Sequence, residues 1–192
     1  MYPISHFHFC PRCGASRSAP NASNSFECPH CQFCYYFNAS AGVAVFIENA
    51  LGQVLLIRRA KDPGINRLAP PGGFIDIGER AETALSREVA EEIGIQIHSI
   101  HFLCSQTNEY TYAGVTYPVL DLFFIAKSEA SKLTLAPEEV RTADWYAPED
   151  VCTDDLAFAS MQAAWKEFLN CRLKFNESLG LPSANSAIGY GR

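Results

Sequence analysis

The sequence predicts an α/β chain: a mixed sheet held between helices, an α/β/α sandwich, preceded by a small cysteine-rich module. Three observations carry this. Apolar runs of strand length alternate with helical spacings across residues 40–173. Five of the eight cysteines fall within residues 1–37, four of them as two CxxC pairs. Between strand-like segments, residues 72–95 join a double-glycine turn to a helix that is acidic on one face.

Length and composition set the frame. A chain of 192 residues suits one substantial domain plus a small module. A hydrophobic fraction of 48% with 19% charged residues belongs to the globular class. The net charge of −6 provides no global field to gather nucleic acid or an anionic membrane, so polyphosphates would need local cations. The opening MYPISHFHFC lacks a basic start followed by a long apolar run, and no apolar stretch reaches 18 residues. The expected compartment is the cytoplasm, with no membrane partner.

The module comes first. Cys10-Pro-Arg-Cys13 and Cys28-Pro-His-Cys31 are separated by 14 residues. Two such knuckles can present four thiolates to one tetrahedral Zn²⁺. The segment has too few large apolar residues for a core, so a metal would supply its folding energy. Two disulfides would serve the same end but are disfavoured in a reducing cytosol. A redox pair fits poorly, because there are two CxxC pairs and no thioredoxin-like pattern. Residues 1–37 resemble a zinc ribbon, with residues 14–25 as its loop and Cys34 spare. The second domain is expected over residues 38–178 and a flexible tail over 179–192.

Residues 42–47 (GVAVFI) read as a buried strand, 48–52 as a turn, and 53–59 (QVLLIRR) as the returning strand of a hairpin. Arg58 and Arg59 lie near the end of that strand. Pro70-Pro71-Gly72-Gly73 demands a turn, and glycine lets bare peptide groups approach a metal or phosphate. Thr83, Ala84, Leu85, Val89 and Ile93 are spaced for a helix that Gly94 stops. Residues 95–103 read as a strand, 105–116 as a loop or hairpin beside the site, and 117–126 as an apolar strand whose one charge is Asp121. Residues 144–146 are a short strand. Residues 154–173 have helical spacing, with Asp154 and Asp155 at the helix start and Trp165 and Phe168 on its packed face. Cys104, Cys152 and Cys171 read as core fillers.

The chemistry lies on the first helix. Glu88, Glu91 and Glu92 stand at i, i+3 and i+4, so their carboxylates converge. Crowded acids repel, and one would have a raised pKa unless a cation neutralised the group. Oxygen ligands of this kind suit Mg²⁺ or Mn²⁺. Arg87 stands four residues before Glu91 and can pin it.

The order is Gly73, five residues, Glu79, seven residues, Arg87-Glu88-Val89, one residue, Glu91-Glu92, one residue, Gly94-Ile95. Every fixed position of the Nudix box is filled, and the chain resembles a Nudix hydrolase over most of residues 40–170. The resemblance implies the same α/β/α sandwich and hydrolysis of a nucleoside diphosphate linked to another group. It implies that Glu88, Glu91, Glu92 and the Gly73 carbonyl hold the cation. Glu92 or a neighbour would take the proton of the attacking water, while Glu79 and Arg87 orient the ligands. Family members often add an acid from outside the box, for which Glu138 and Glu139 are the candidates.

A zinc ribbon joined to a Nudix domain resembles the NADH pyrophosphatases, whose Ser-Gln-Pro-Trp-Pro-Phe-Pro motif begins like Ser105-Gln106 and is not continued here. The expected substrate is therefore of NADH/NAD or ADP-ribose type, cleaved to AMP and a second phosphate. Arg58, Tyr110 and Tyr112 are the candidates for binding it. Dinucleoside polyphosphates or nucleoside triphosphates are the alternative substrates, and an RNA-binding or regulatory role the alternative function. The ribbon holds only Arg12 and Arg17 as strong cations, so nucleic acid is not the expected partner. A homodimer is expected from the resemblance.

Overall fold

The computed structural model describes residues 1–16 and 24–178. The expected tail at 179–192 lies outside them, as do residues 17–23 of the ribbon loop. Strands β1 (Ser25–Glu27) and β2 (Cys34–Tyr36) form the small sheet of the cysteine module. A seven-stranded mixed sheet follows, built from β3 (Ser40–Glu48), β4 (Val54–Arg59), β5 (Leu68–Ala69), β6 (Gly72–Phe74), β7 (His98–Tyr112), β8 (Val115–Lys127) and β9 (Val140–Tyr146). Two helices, α1 (Ala81–Ile93) and α2 (Ala159–Ser178), cover its faces.

The central strands show how one apolar run serves two cores. Successive side chains on a strand point to opposite faces. Val43, Val45 and Ile47 of β3 therefore meet Leu85, Val89 and Ile93 of α1. Ala44 and Phe46 face the other way and meet Trp165 and Phe168 of α2. On β4, Leu55 and Ile57 take the α1 side, and Val54 and Leu56 the α2 side. This two-sided burial is why residues 42–47 read as continuous hydrophobics. On the α2 side the Phe46 ring lies 5.3 Å from Trp165, 5.0 Å from Phe168 and 6.1 Å from Phe123, centroid to centroid. Truncating such a ring to alanine costs about 3–5 kcal/mol.

β3 pairs parallel with β8 along its whole length, from Ser40 opposite Val119 to Glu48 opposite Lys127. Its other edge is divided. Residues 47–48 pair with β4, and residues 42–44 pair antiparallel with β6. The second pairing carries the double glycine into the middle of the sheet. Residues 70–73 thus contain a short strand as well as the expected turn. Glycine permits it: Gly72 has φ +151°, and a Cβ there would lie 2.1 Å from the Val43 carbonyl oxygen.

Of the two readings of residues 105–116, the structure takes the hairpin, a long one closed at Ala113-Gly114 with φ of +48° and +80°. Two left-handed central residues match the twist of the flanking strands. The hairpin overhangs the first residue of β3 and there meets the N-terminal segment, whose Met1 carbonyl accepts from the Thr116 N–H at 2.9 Å. The second helix starts later than its spacing predicts. Asp154 and Asp155 sit in a separate 3-10 turn (Thr153–Asp155), because Leu156 is drawn into the core beside Leu68. Arg67 secures this turn by donating to the Leu156 carbonyl at 2.9 Å. Cys104 is half-buried, while Cys152 and Cys171 are exposed rather than core fillers. No helix among the described residues is long and apolar enough to cross a membrane.

Candidate active site

The register of α1 decides how its acids stand. Leu85, Val89 and Ile93 face the core, with Glu92 beside them, Glu88 at the margin and Glu91 outward. Glu92 is only 5% exposed, and its Oε2 accepts the Gly72 N–H at 2.9 Å. Burial pushes its carboxyl up to about 8, against that N–H, and the charges of Glu88 and Glu139 add to the rise. Burial likewise raises Glu88, opposed by Arg87. Gly73 lies directly against Glu88: a Cβ would come within 2.5 Å of the carboxylate. The double glycine therefore performs two tasks, one residue apart. Gly72 lets the backbone cross Val43, and Gly73 admits Glu88.

Arg87 ties the group together. Its Nε and Nη2 grip both oxygens of Glu79 at 3.0 and 2.9 Å. Nη1 reaches Glu88 at 2.9 Å and Glu91 at 3.1 Å, and Nη2 also donates to the Phe74 carbonyl at 3.1 Å. All five guanidinium N–H groups are thereby used. The bond from Arg87 holds the Glu79 carboxyl below its ordinary value. The contact with Glu91 follows from helical spacing. Those with Glu79 and Phe74 depend on the loop folding back over the helix.

Glu139 arrives from outside the box. The loop at 128–139 docks on the end of α1, with the Thr134 N–H donating to the Ile93 carbonyl and the Ala136 N–H to that of Glu92. Helix carbonyls left open at a C-terminus are thus satisfied, and the loop is fixed beside the box. Gly94 stops the helix in the left-handed conformation at φ +69°, close against Thr134. Glu139 then bonds Lys61 Nζ at 2.6 Å, and its charge acts on both Glu88 and Glu92. Of the two acids named from sequence, it is Glu139 whose charge reaches Glu88 and Glu92 in this way.

The cation-binding residues differ in readiness. The sulfurs of Cys10, Cys13, Cys28 and Cys31 all lie within 4.8 Å of one another, the one such group of His, Cys, Asp or Glu among the described residues. The Cys10–Cys31 and Cys13–Cys28 distances of 3.7 Å are those of free thiols. The Cys31 N–H draws the Cys28 thiol down to about 6, against its burial, and so favours the thiolate. The box acids are held farther apart, with Arg87 between Glu88 and Glu91. Their oxygen-only donor set and the raised Glu92 carboxyl fit a hard divalent cation.

A cleft adjoins Gly72 and Gly73. Tyr110 lines it, its ring 5.6 Å from Phe74 and 6.2 Å from Phe158. Arg58 does not line it and donates instead to the Asn66 carbonyl at 2.9 Å. Its neighbour Arg59 does, with the guanidinium 5.3 Å from the Phe158 ring and its charge felt by Glu92. The β4–β9 register shifts between these two arginines, and simple alternation fails there. Tyr112 is likewise outside the cleft. It stands exposed at the end of the overhanging hairpin, next to the Ala113-Gly114 turn. Asp121 and Asn108 also line the cleft. The only sequence signal for them was the single charge in the apolar run 117–126.

Comparison with known proteins agrees with this geometry. The family model of the NUDIX domain matches residues 39–167. The NAD-capped RNA hydrolase NudC of Stutzerimonas stutzeri (strain A1501) is 28% identical over 145 residues, 74% of this chain and 49% of that protein. NudC of Yersinia pestis (strain Pestoides F) is 31% identical over 139 residues, 72% of this chain and 50% of that protein. The chain thus spans about half the length of the curated relatives it matches. A Nudix hydrolase structure from Nitrosomonas europaea superposes with a TM-score of 0.63 at 22% identity, covering 91% of this chain and 94% of the other. With the box folded as described and the family model spanning most of it, the chain belongs to the Nudix family.

Proposed function

We propose that this chain is a divalent-cation-dependent hydrolase of the diphosphate linkage in nucleoside diphosphate derivatives of NAD or ADP-ribose type, releasing AMP and a second phosphate. The observation that carries the reading is Glu92, buried against the Gly72 N–H under the fields of Glu88 and Glu139. Such a group calls for a cation, and the Gly72-Gly73 segment against which Glu92 and Glu88 pack also lines an aromatic cleft.

Glu88, Glu91, Glu92 and the Gly73 carbonyl would hold Mg²⁺ or Mn²⁺. Bound there, such an ion would neutralise the phosphate oxygens and make water more acidic. The remaining work belongs to the chain. Arg87 and Glu79 keep Glu88 and Glu91 in position. Glu92 or Glu139 receives the proton of the water as it attacks one phosphorus, and the bridging oxygen leaves with the other phosphate. Arg59, rather than Arg58, lies on the cleft side where a substrate phosphate would rest. The four cysteines would hold a structural Zn²⁺. The relatives named NAD-capped RNA hydrolases support including NAD at an RNA end among the candidate substrates, against the low cation content of the ribbon. A homodimer in the cytoplasm completes the reading, and light scattering after gel filtration tests the dimer.

The test is a panel of NAD, NADH, ADP-ribose, NAD-capped RNA, diadenosine tetraphosphate and ATP, each with and without Mg²⁺. Only when the cation is present should NAD, NADH and ADP-ribose release AMP, and NAD-capped RNA release nicotinamide mononucleotide while the RNA keeps a 5′-monophosphate. Preference for ATP over every dinucleotide would overturn the substrate class.

A further inference from the structure

The cleft ends on a carboxylate that the proposed reaction does not use. Asp121 sits in the middle of β8, opposite Gly42 of β3. Its Oδ2 accepts from the Ser160 hydroxyl at 2.7 Å, and Ser160 is 2% exposed near the start of α2. The Asn108 side chain bonds it from β7. Its other oxygen, Oδ1, faces Gly42, where an added Cβ would stand only 2.9 Å away. Any larger residue at 42 would cover that oxygen. Burial raises the Asp121 carboxyl despite its two polar partners.

A carboxylate offers about four acceptor sites, and these partners take two. The remainder face a cavity that Phe74, Tyr110 and Phe158 also line. Rings select a flat ligand by stacking or edge contact, and a buried acceptor selects one that carries N–H at its edge. We propose that Asp121 is a specificity-determining residue of this cleft, accepting the exocyclic N–H₂ of a planar heteroaromatic ring in the substrate, with Phe74, Tyr110 and Phe158 flanking that ring. The assignment rests on the nucleoside diphosphate reading above. An NAD-type substrate offers this chemistry at two places, the adenine amino group and the nicotinamide carboxamide. Replacing N–H₂ by an oxo or carboxylate group turns acceptor against acceptor and leaves the half-buried Asp121 without its partner.

The experiment is calorimetric titration of the full chain, in Mg²⁺, with AMP against IMP and with nicotinamide mononucleotide against nicotinic acid mononucleotide. Wild type should bind the amino member of one pair roughly 10–100-fold more tightly than its counterpart. The pair that discriminates identifies the ring. Asp121→Asn should bring that ratio to within about threefold. Ser160→Ala removes the link from β8 to α2 but keeps the acceptor, so its ratio should stay near that of wild type. Thermal melts of both variants show that they fold. Equal affinities in both pairs, no binding of any of the four, or an unchanged ratio in folded Asp121→Asn would each overturn the assignment. Discrimination without hydrolysis of any dinucleotide would sink the proposed reaction and leave Asp121 standing. Hydrolysis without discrimination would do the reverse.

Discussion

Replacing Glu92 by Gln separates the charge of this residue from its shape. The wild-type carboxyl moves from 4.5 to about 8 on folding without a bound cation, chiefly through burial. The folded state therefore keeps a proton that the unfolded chain has already released. Below pH ~4.5 both states are protonated and nothing is lost. Between ~4.5 and ~8 stability falls with rising pH by about 1.4 kcal/mol per pH unit, and above ~8 it levels off. The ceiling is roughly 5 kcal/mol, and about 4 kcal/mol at pH 8, where the folded carboxyl is half ionised. Water entering the site would lower the measured value. Gln is neutral throughout, and its carbonyl oxygen can keep the 2.9 Å bond from Gly72. Denaturant melts in buffer freed of Mg²⁺ and Mn²⁺ should find Glu92→Gln equal to wild type at pH 4.5 and more stable at pH 8. Adding Mg²⁺ should stabilise wild type at pH 8 and the variant much less. Turnover with Mg²⁺ should fall roughly 10²–10⁴-fold. Two flat, coincident stability profiles in the metal-free state would refute the reasoning, because Glu92 would then not be a desolvated charge in need of a partner.

Two other substitutions probe the supporting structure. Arg87→Lys keeps the positive charge but cannot grip both oxygens of Glu79, so the Glu79 carboxyl should rise toward its ordinary value and kcat should fall more than substrate affinity; an unchanged kcat would show that the fork is dispensable. Elemental analysis of wild type should find one zinc per chain, and Cys28→Ser should abolish it and lower the melting temperature, while the metal dependence of hydrolysis stays that of wild type; full zinc occupancy in the variant would refute the four-cysteine site.

The sequence by itself determined whatever depends on local spacing. The i, i+3, i+4 acids, the Gly94 stop and the pinning of Glu91 by Arg87 all follow from one turn of helix. The paired CxxC knuckles were legible in the same way, since each is four residues long and needs only the other. The apolar run at 42–47 and the 122–126 part of the run at 117–126 announced central strands because both their faces pack into a core. Tertiary structure decided the rest. That the buried Glu92 receives a backbone N–H follows from the pairing of β6 with β3, which depends on a close approach no spacing can announce. That Arg59 and not Arg58 faces the cleft follows from a shift in strand register. Tyr112 shares the alternation of Tyr110 but stands next to the Ala113-Gly114 turn, where it is exposed, while Tyr110 packs near Phe74 and Phe158. Asp121 acquires its place only when Gly42, Asn108 and Ser160 converge from three elements, because long-range packing and not local pattern brings them within hydrogen-bonding reach.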